Sequence, residues 1–159
     1  MISACRVVEH KALGRRCQDE VACLRLGRTD GLGEVPLISI IDDDASVRTA
    51  TDRLVRSLGY VVRTFASADE FLRSPQVDTT SCIIADVQMP GMSGLELQDL
   101  LRAQGRRLPI IFITAFPEES ARARAVAAGA ICFLTKPFDG ATLIKSLEAA
   151  LGRGGEADR

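Results

Sequence analysis

Four short apolar runs, rich in β-branched residues, each end on a polar side chain, and their order along the chain is acid group, acid, hydroxyl, ammonium. Residues 38–41 run into Asp42, Asp43 and Asp44; 82–85 run into Asp86; 110–113 run into Thr114; and 131–134 run through Thr135 into Lys136. Apolar runs of this length between helix-like segments read as buried parallel strands. The carboxyl ends of such strands share one edge of the sheet, and ligand sites in open α/β sheets lie on that edge. The pattern therefore gathers three or four carboxylates, a hydroxyl and a lysine into one crevice, a set suited to a divalent cation and a phosphoryl group.

The segments between the runs carry helix signals. After a first strand over 37–41, Val47, Thr51, Leu54, Val55 and Leu58 recur at helical spacing until Gly59 stops the helix. Residues 60–65 read as a second strand, and Ser67 with Glu70 as a capping box for a short helix through Leu72. A third strand over 81–86 is followed by the turn Met89-Pro90-Gly91-Met92. Ser93 and Glu96 then cap a helix with an apolar face of Leu95, Leu97, Leu100 and Leu101. An alanine-rich helix over 118–128 follows the fourth strand and ends at Gly129. The fifth strand leads through Lys136 and Pro137 to Asp139, the expected cap of a last helix carrying Leu143, Ile144, Leu147 and Leu151. Five strands alternating with five helices predict a doubly wound α/β domain with right-handed crossovers.

The 159 residues suffice for one domain with a substantial core. A formal net charge of −1 and 4% aromatic residues leave no basic footprint, so composition gives no support for direct nucleic-acid binding. The start, MISACRVVEHKALGRRC, lacks the apolar core of a secretory signal, and no stretch approaches the roughly 18 apolar residues of a membrane span. The expected location is cytoplasmic. Residues 1–34 show no sustained period, and read as a poorly ordered N-terminal extension or as the product of a start site placed too far upstream. Residues 35–152 hold the domain, and 153–159 form a polar tail. Cys82 and Cys132 sit inside strand-like runs and read as small core residues. Cys5, Cys17 and Cys23, with the single His10, match no zinc spacing.

The segments ISIIDDDASVR, CIIADVQMPGMSGLEL, PIIFITAF and AICFLTKPF resemble, in order and spacing, the receiver domains of two-component response regulators, the CheY-like superfamily. SADEFL, MPGMSGLEL and FLTKPF are most similar to the FixJ-like subgroup. The resemblance covers about residues 35–151. It implies a flavodoxin-like parallel sheet with strand order 2-1-3-4-5, with Asp86 as phosphoacceptor. It implies Mg²⁺ held by Asp43 directly, Asp42 through water, Asp86, and the backbone carbonyl of Gln88. Thr114 matches the switch hydroxyl, Lys136 the phosphate-contacting lysine, Phe133 the aromatic switch position, and Pro137 a proline after a cis peptide bond. The implied partners are a sensor histidine kinase or phosphotransfer protein, and a second copy of the chain through the last two helices and strand five. On this reading the chain is a stand-alone phosphoacceptor, not an enzyme acting on other substrates. Its output is a phosphorylation-dependent binding event, with neither membrane nor nucleic acid as a direct partner.

Elementary chemistry supports the same roles. Three crowded carboxylates repel one another, and a divalent oxygen-seeking cation relieves the repulsion. An acid run after a strand is also a common solvated turn or helix cap, and Asp44 is assigned to capping. Phe116 and Pro117 depart from the polar or glycine-containing turn of many receivers, so a ring near the phosphoryl pocket would alter access of water. Two other readings are open to the residues. Asp42-x-Asp44 after an apolar strand also suits a haloacid dehalogenase-type phosphohydrolase with Asp42 as nucleophile, although the late acidic metal pair that such an enzyme needs is reduced to Asp139. A degenerate receiver that only binds proteins is the other; the complete acid, threonine and lysine set argues against it.

Overall fold

Short apolar runs and helix signals alternate along the chain, and a computed structural model, which describes residues 34–152, places them in βα order. The elements are β1 (Leu37–Ile41), α1 (Ala45–Ser57), β2 (Val61–Phe65), α2 (Ala68–Arg73), β3 (Cys82–Asp86), α3 (Gly94–Ala103), β4 (Ile110–Thr114), α4 (Glu119–Ala127), β5 (Cys132–Thr135) and α5 (Gly140–Ala150). A 3-10 turn over Pro75–Asp78, which the periodicity did not announce, joins α2 to β3. All but the last residue of the expected extension over 1–34, with Cys5, His10, Cys17 and Cys23, and the tail over 153–159 lie outside the described residues.

All strand pairs are parallel, in the order β2-β1-β3-β4-β5. The chain thus has the doubly wound sheet of the flavodoxin-like, CheY-like fold. The register sets Ile41 opposite both Phe65 and Ala85, Asp86 opposite Ile113, and Thr114 opposite Thr135. Strand ends are therefore level. Asp42 follows β1, Asp86 and Thr114 end β3 and β4, and Lys136 follows β5, all on one edge.

Alternate residues of each strand feed opposite faces, as pleating requires. Cys82 and Ile84 join Ile38, Ile40, Val55 and Leu147 beneath α1 and α5. Ile83 and Ala85 join Phe71, Leu97 and Phe112 beneath α2, α3 and α4. Full burial of each such Leu, Ile or Phe contributes about 1.5–3 kcal/mol. Burial also pushes the Cys82 thiol up to about 12, so this cysteine behaves as a hydrophobe.

Local signals act largely as the residues predict. Asp44 caps α1, accepting from Ser46 and Val47 N–H, and Ser93 with Glu96 forms a complete capping box on α3. Two expected caps differ. Ser67 accepts from the Glu70 N–H, but the Glu70 carboxylate takes the Ala66 N–H at 2.7 Å, one residue outside the box. Asp139 precedes α5 without capping its backbone and instead accepts from the Thr142 hydroxyl at 3.4 Å. Among the described residues no helix is long and apolar enough to cross a membrane.

Candidate functional site

The β1 to α1 connection turns abruptly because Asp42 is bound on several sides. Its N–H donates to the Phe65 carbonyl at 3.1 Å, and its carboxylate accepts from the Asp44 N–H at 2.8 Å. The Arg48 guanidinium donates to the Asp42 carbonyl oxygen at 2.6 Å. This tethering buries Asp42 and leaves Asp43 exposed at the mouth of the crevice. One strand over, Asp86 is buried at the end of β3, where its carboxylate accepts the Gln88 N–H at 2.9 Å and draws the Gln88 backbone against it.

Gly94 explains how α3 comes so close. A side-chain carbon there would stand 2.3 Å from the Asp86 carbonyl oxygen and 3.0 Å from the Phe112 ring. The Gly94 N–H donates to the Val87 carbonyl at 3.0 Å, which fixes the approach.

Lys136 enters from the end of β5. Its ammonium donates to Asp86 at 2.8 Å and to Asp42 at 2.9 Å, so one cation spans two carboxylates. The Lys136–Pro137 peptide is cis. One carboxylate oxygen from each of Asp42, Asp43 and Asp86 lies within 4.8 Å of the others. Hard oxygen donors in this number suit Mg²⁺, which accepts an incomplete protein cage and completes it with water or phosphate oxygens. The donor set fits that cation.

Electrostatics follow from burial and crowding. Burial pushes the Asp42 carboxyl above the ordinary aspartate range, and the Lys136 and Asp44 hydrogen bonds offset this only in part. Burial alone would depress the Lys136 ammonium, but its bonds to Asp86 and Asp42 prevail and hold it above the usual lysine range. Both shifts point upward because desolvation outweighs pairing at the acid while pairing outweighs desolvation at the amine.

Thr114 is wholly buried at the end of β4. Its hydroxyl accepts the Phe116 N–H at 3.1 Å and lies 3.2 Å from the Phe116 carbonyl, so in this state it is held by its own turn. Phe133 is half-buried, 6.3 Å from Phe112 between ring centroids. Phe116 itself is 68% exposed and lines a groove of about 500 Å³ with Gln88 and Met89, a groove to which Asp42, Asp43 and Asp86 do not contribute.

The pattern of the response regulator receiver domain matches residues 38–148. This chain belongs to the response regulator receiver family. It is 40% identical over 119 residues to the transcriptional regulatory protein TdiR of Thauera aromatica, covering 75% of this chain and 52% of TdiR. With the response regulator protein TodT of Pseudomonas putida it shares 43% over 115 residues, 72% of this chain and 51% of TodT. The crystal structure of FixJ-N superposes with a TM-score of 0.68 at 30% identity, over 76% of this chain and 96% of that one. The chain spans about half the length of the curated relatives it matches. Membership of the receiver family, a signalling family, sets aside the phosphohydrolase alternative. The receiver residues missed by sequence reasoning are Arg48 and Gly94. A cation in the first turn of a helix, against its dipole, was the available signal for Arg48.

Proposed function

We propose that this receiver accepts a phosphoryl group on Asp86 from a phosphohistidine of a sensor kinase or phosphotransfer protein. The observation that carries the reading is the convergence of three carboxylates on one edge, two of them spanned by Lys136. Asp42, Asp43, Asp86 and the Gln88 carbonyl would hold Mg²⁺, which when bound neutralises phosphoryl oxygens. An Asp86 oxygen attacks phosphorus in line as the bond from phosphorus to the donor imidazole breaks, giving an acyl phosphate and a free imidazole. Lys136 leaves its carboxylate partners to hold an equatorial oxygen, and it costs no reorganisation beyond a side-chain swing. The chain catalyses only this transfer and its own dephosphorylation, in which water takes the phosphoryl group as inorganic phosphate and the Asp86 carboxylate is restored.

The signal is then a local rearrangement. The Thr114 hydroxyl exchanges its Phe116 partners for the new phosphate, and the Phe133 ring moves into the space that Thr114 leaves. That changes the surface of α4, β5 and α5, the face offered to a partner protein or a second copy of the chain. Direct nucleic-acid and membrane contact form no part of the reading, and the expected location is the cytoplasm.

Incubation of the full chain with acetyl phosphate and Mg²⁺, followed by borohydride reduction and peptide mass mapping, tests the assignment. The single modified residue should be Asp86, and Asp86→Ala should take up none. A label recovered on Asp42 overturns it.

A further inference from the structure

Asp43 is oriented without a partner of its own. Its carboxylate accepts no hydrogen bond from the described residues, yet an oxygen of it stays within 4.8 Å of oxygens on Asp42 and Asp86. Its direction must come from the backbone. The peptide plane joining Asp42 to Asp43 carries the Asp42 carbonyl, and that oxygen is the atom to which Arg48 Nη1 donates at 2.6 Å.

Among the described residues the Arg48 side chain makes no other hydrogen bond. It sits on the fourth residue of α1, where the helix dipole disfavours a cation. The first turn contains no acidic residue, and among the described residues no ion pair involves Arg48. Its side chain is half-buried against the loop that it holds. The remaining ties on Asp42 run to its own N–H and carboxylate; the Asp44 N–H closes a turn onto that carboxylate, and Arg48 is the side chain among the described residues that holds the Asp42 carbonyl oxygen itself.

We infer that Arg48 is a positioning residue: it locks the Asp42–Asp43 peptide so that Asp43 presents its carboxylate to a divalent cation. This inference rests on the proposed reading of the three acids as a Mg²⁺ site. It also makes a claim about sign. Were Arg48 only a nearby positive charge, removing it would strengthen the attraction of the acids for a cation. A tether that orients a ligand has the opposite effect, because its loss lets Asp43 swing toward solvent.

Calorimetric titration of the full chain with MgCl₂ separates the two. The wild type should bind one ion and Asp43→Ala should lose the binding. Arg48→Met, which keeps the stem but no donor, should weaken it about tenfold, the usual scale for loss of a group that orients a metal ligand. Arg48→Ala serves in its place should that variant not fold. Arg48→Lys, a cation with a donor, should return to within about threefold of wild type on the same scale. Unchanged or tighter binding by Arg48→Met overturns the inference and leaves the site reading intact, as does an Arg48→Lys variant no better than Arg48→Met. Failure of the wild type to bind Mg²⁺ overturns both.

Discussion

Lys136 approaches Asp86 to 2.8 Å, so the carboxylate proposed to accept the phosphoryl group is held by an ammonium donor in the cation-free protein. The same ammonium is 2.9 Å from Asp42, so it neutralises part of the acid cluster in the cation-free state. Its charge is thus shared between two carboxylates.

Lys136→Ala should therefore separate metal binding from phosphorylation. Mg²⁺ affinity by calorimetry is expected to hold or tighten, since a competing cation is gone, while phosphorylation by acetyl phosphate falls by about 10²-fold or more. In Mg²⁺-free buffer at neutral pH the variant should also lose about 2 kcal/mol in urea melts, from two carboxylates left without their donor.

Asp42→Asn should stabilise the cation-free protein. The folded state raises the proton affinity of Asp42, so the stability this group contributes is fully present below its unfolded pKa and is lost as pH rises through the higher folded value. The asparagine keeps the acceptor for the Asp44 N–H without an ionising group. Urea melts in EDTA from pH 3.5 to 7.5 should show no advantage at the acid end. Above the raised pKa the variant should gain about 1 kcal/mol, a few degrees in Tm. Added Mg²⁺ should reverse the order, because only the wild type retains the full acid set.

Gly94→Ala should damage site and fold together. The added carbon would meet the Asp86 carbonyl at 2.3 Å, and backbone cannot rotate away as a side chain does. A loss of about 2–3 kcal/mol is expected, accompanied by reduced phosphorylation because α3 and the end of β3 must part. A variant of wild-type stability would mean that the close approach is not needed.

Gln98→Met should be tolerated or slightly stabilising. The Gln98 amide nitrogen donates to the Ala125 carbonyl at 3.3 Å, but its buried oxygen Oε1 finds no partner. The Ala125 carbonyl retains the Ala130 N–H at 2.9 Å, so removing the amide strands no acceptor. A gain of up to about 1 kcal/mol is expected from losing one unsatisfied polar atom. Substantial destabilisation would show that the clasp between α3 and α4 outweighs that defect.

The strands and the acids at their ends were legible because burial on both faces demands continuous apolar runs, and each run stops where water and ligand begin. Asp86 and Lys136 could thus be assigned to one edge with no coordinates. Caps were read less well. Ser93 with Glu96 closes a full box, whereas Glu70 reaches past its expected target and Asp139 turns to a side chain, since a capping pattern specifies types and spacing but not the angle at which the chain enters the helix. Gly94 was not legible as a site residue, and Arg48 only as a cation set against its helix dipole, with no target named. Arg48 acts on a carbonyl, which sequence does not display, and Gly94 acts by lacking atoms.

The alternation that splits the core in two continues into the strand ends. Asp86 follows the parity of Cys82 and Ile84, and Lys136 that of Cys132 and Leu134, both on the side of α1 and α5. Thr114 follows Ile110 and Phe112, and Phe133 packs with them, on the side of α2, α3 and α4. The proposed phosphoacceptor and its lysine thus share one side of the sheet and the proposed switch pair the other, and the two sets meet at the strand ends. A change of charge at that edge bears on both halves of the core at once, through Lys136 on one side and through Thr114 and Phe133 on the other.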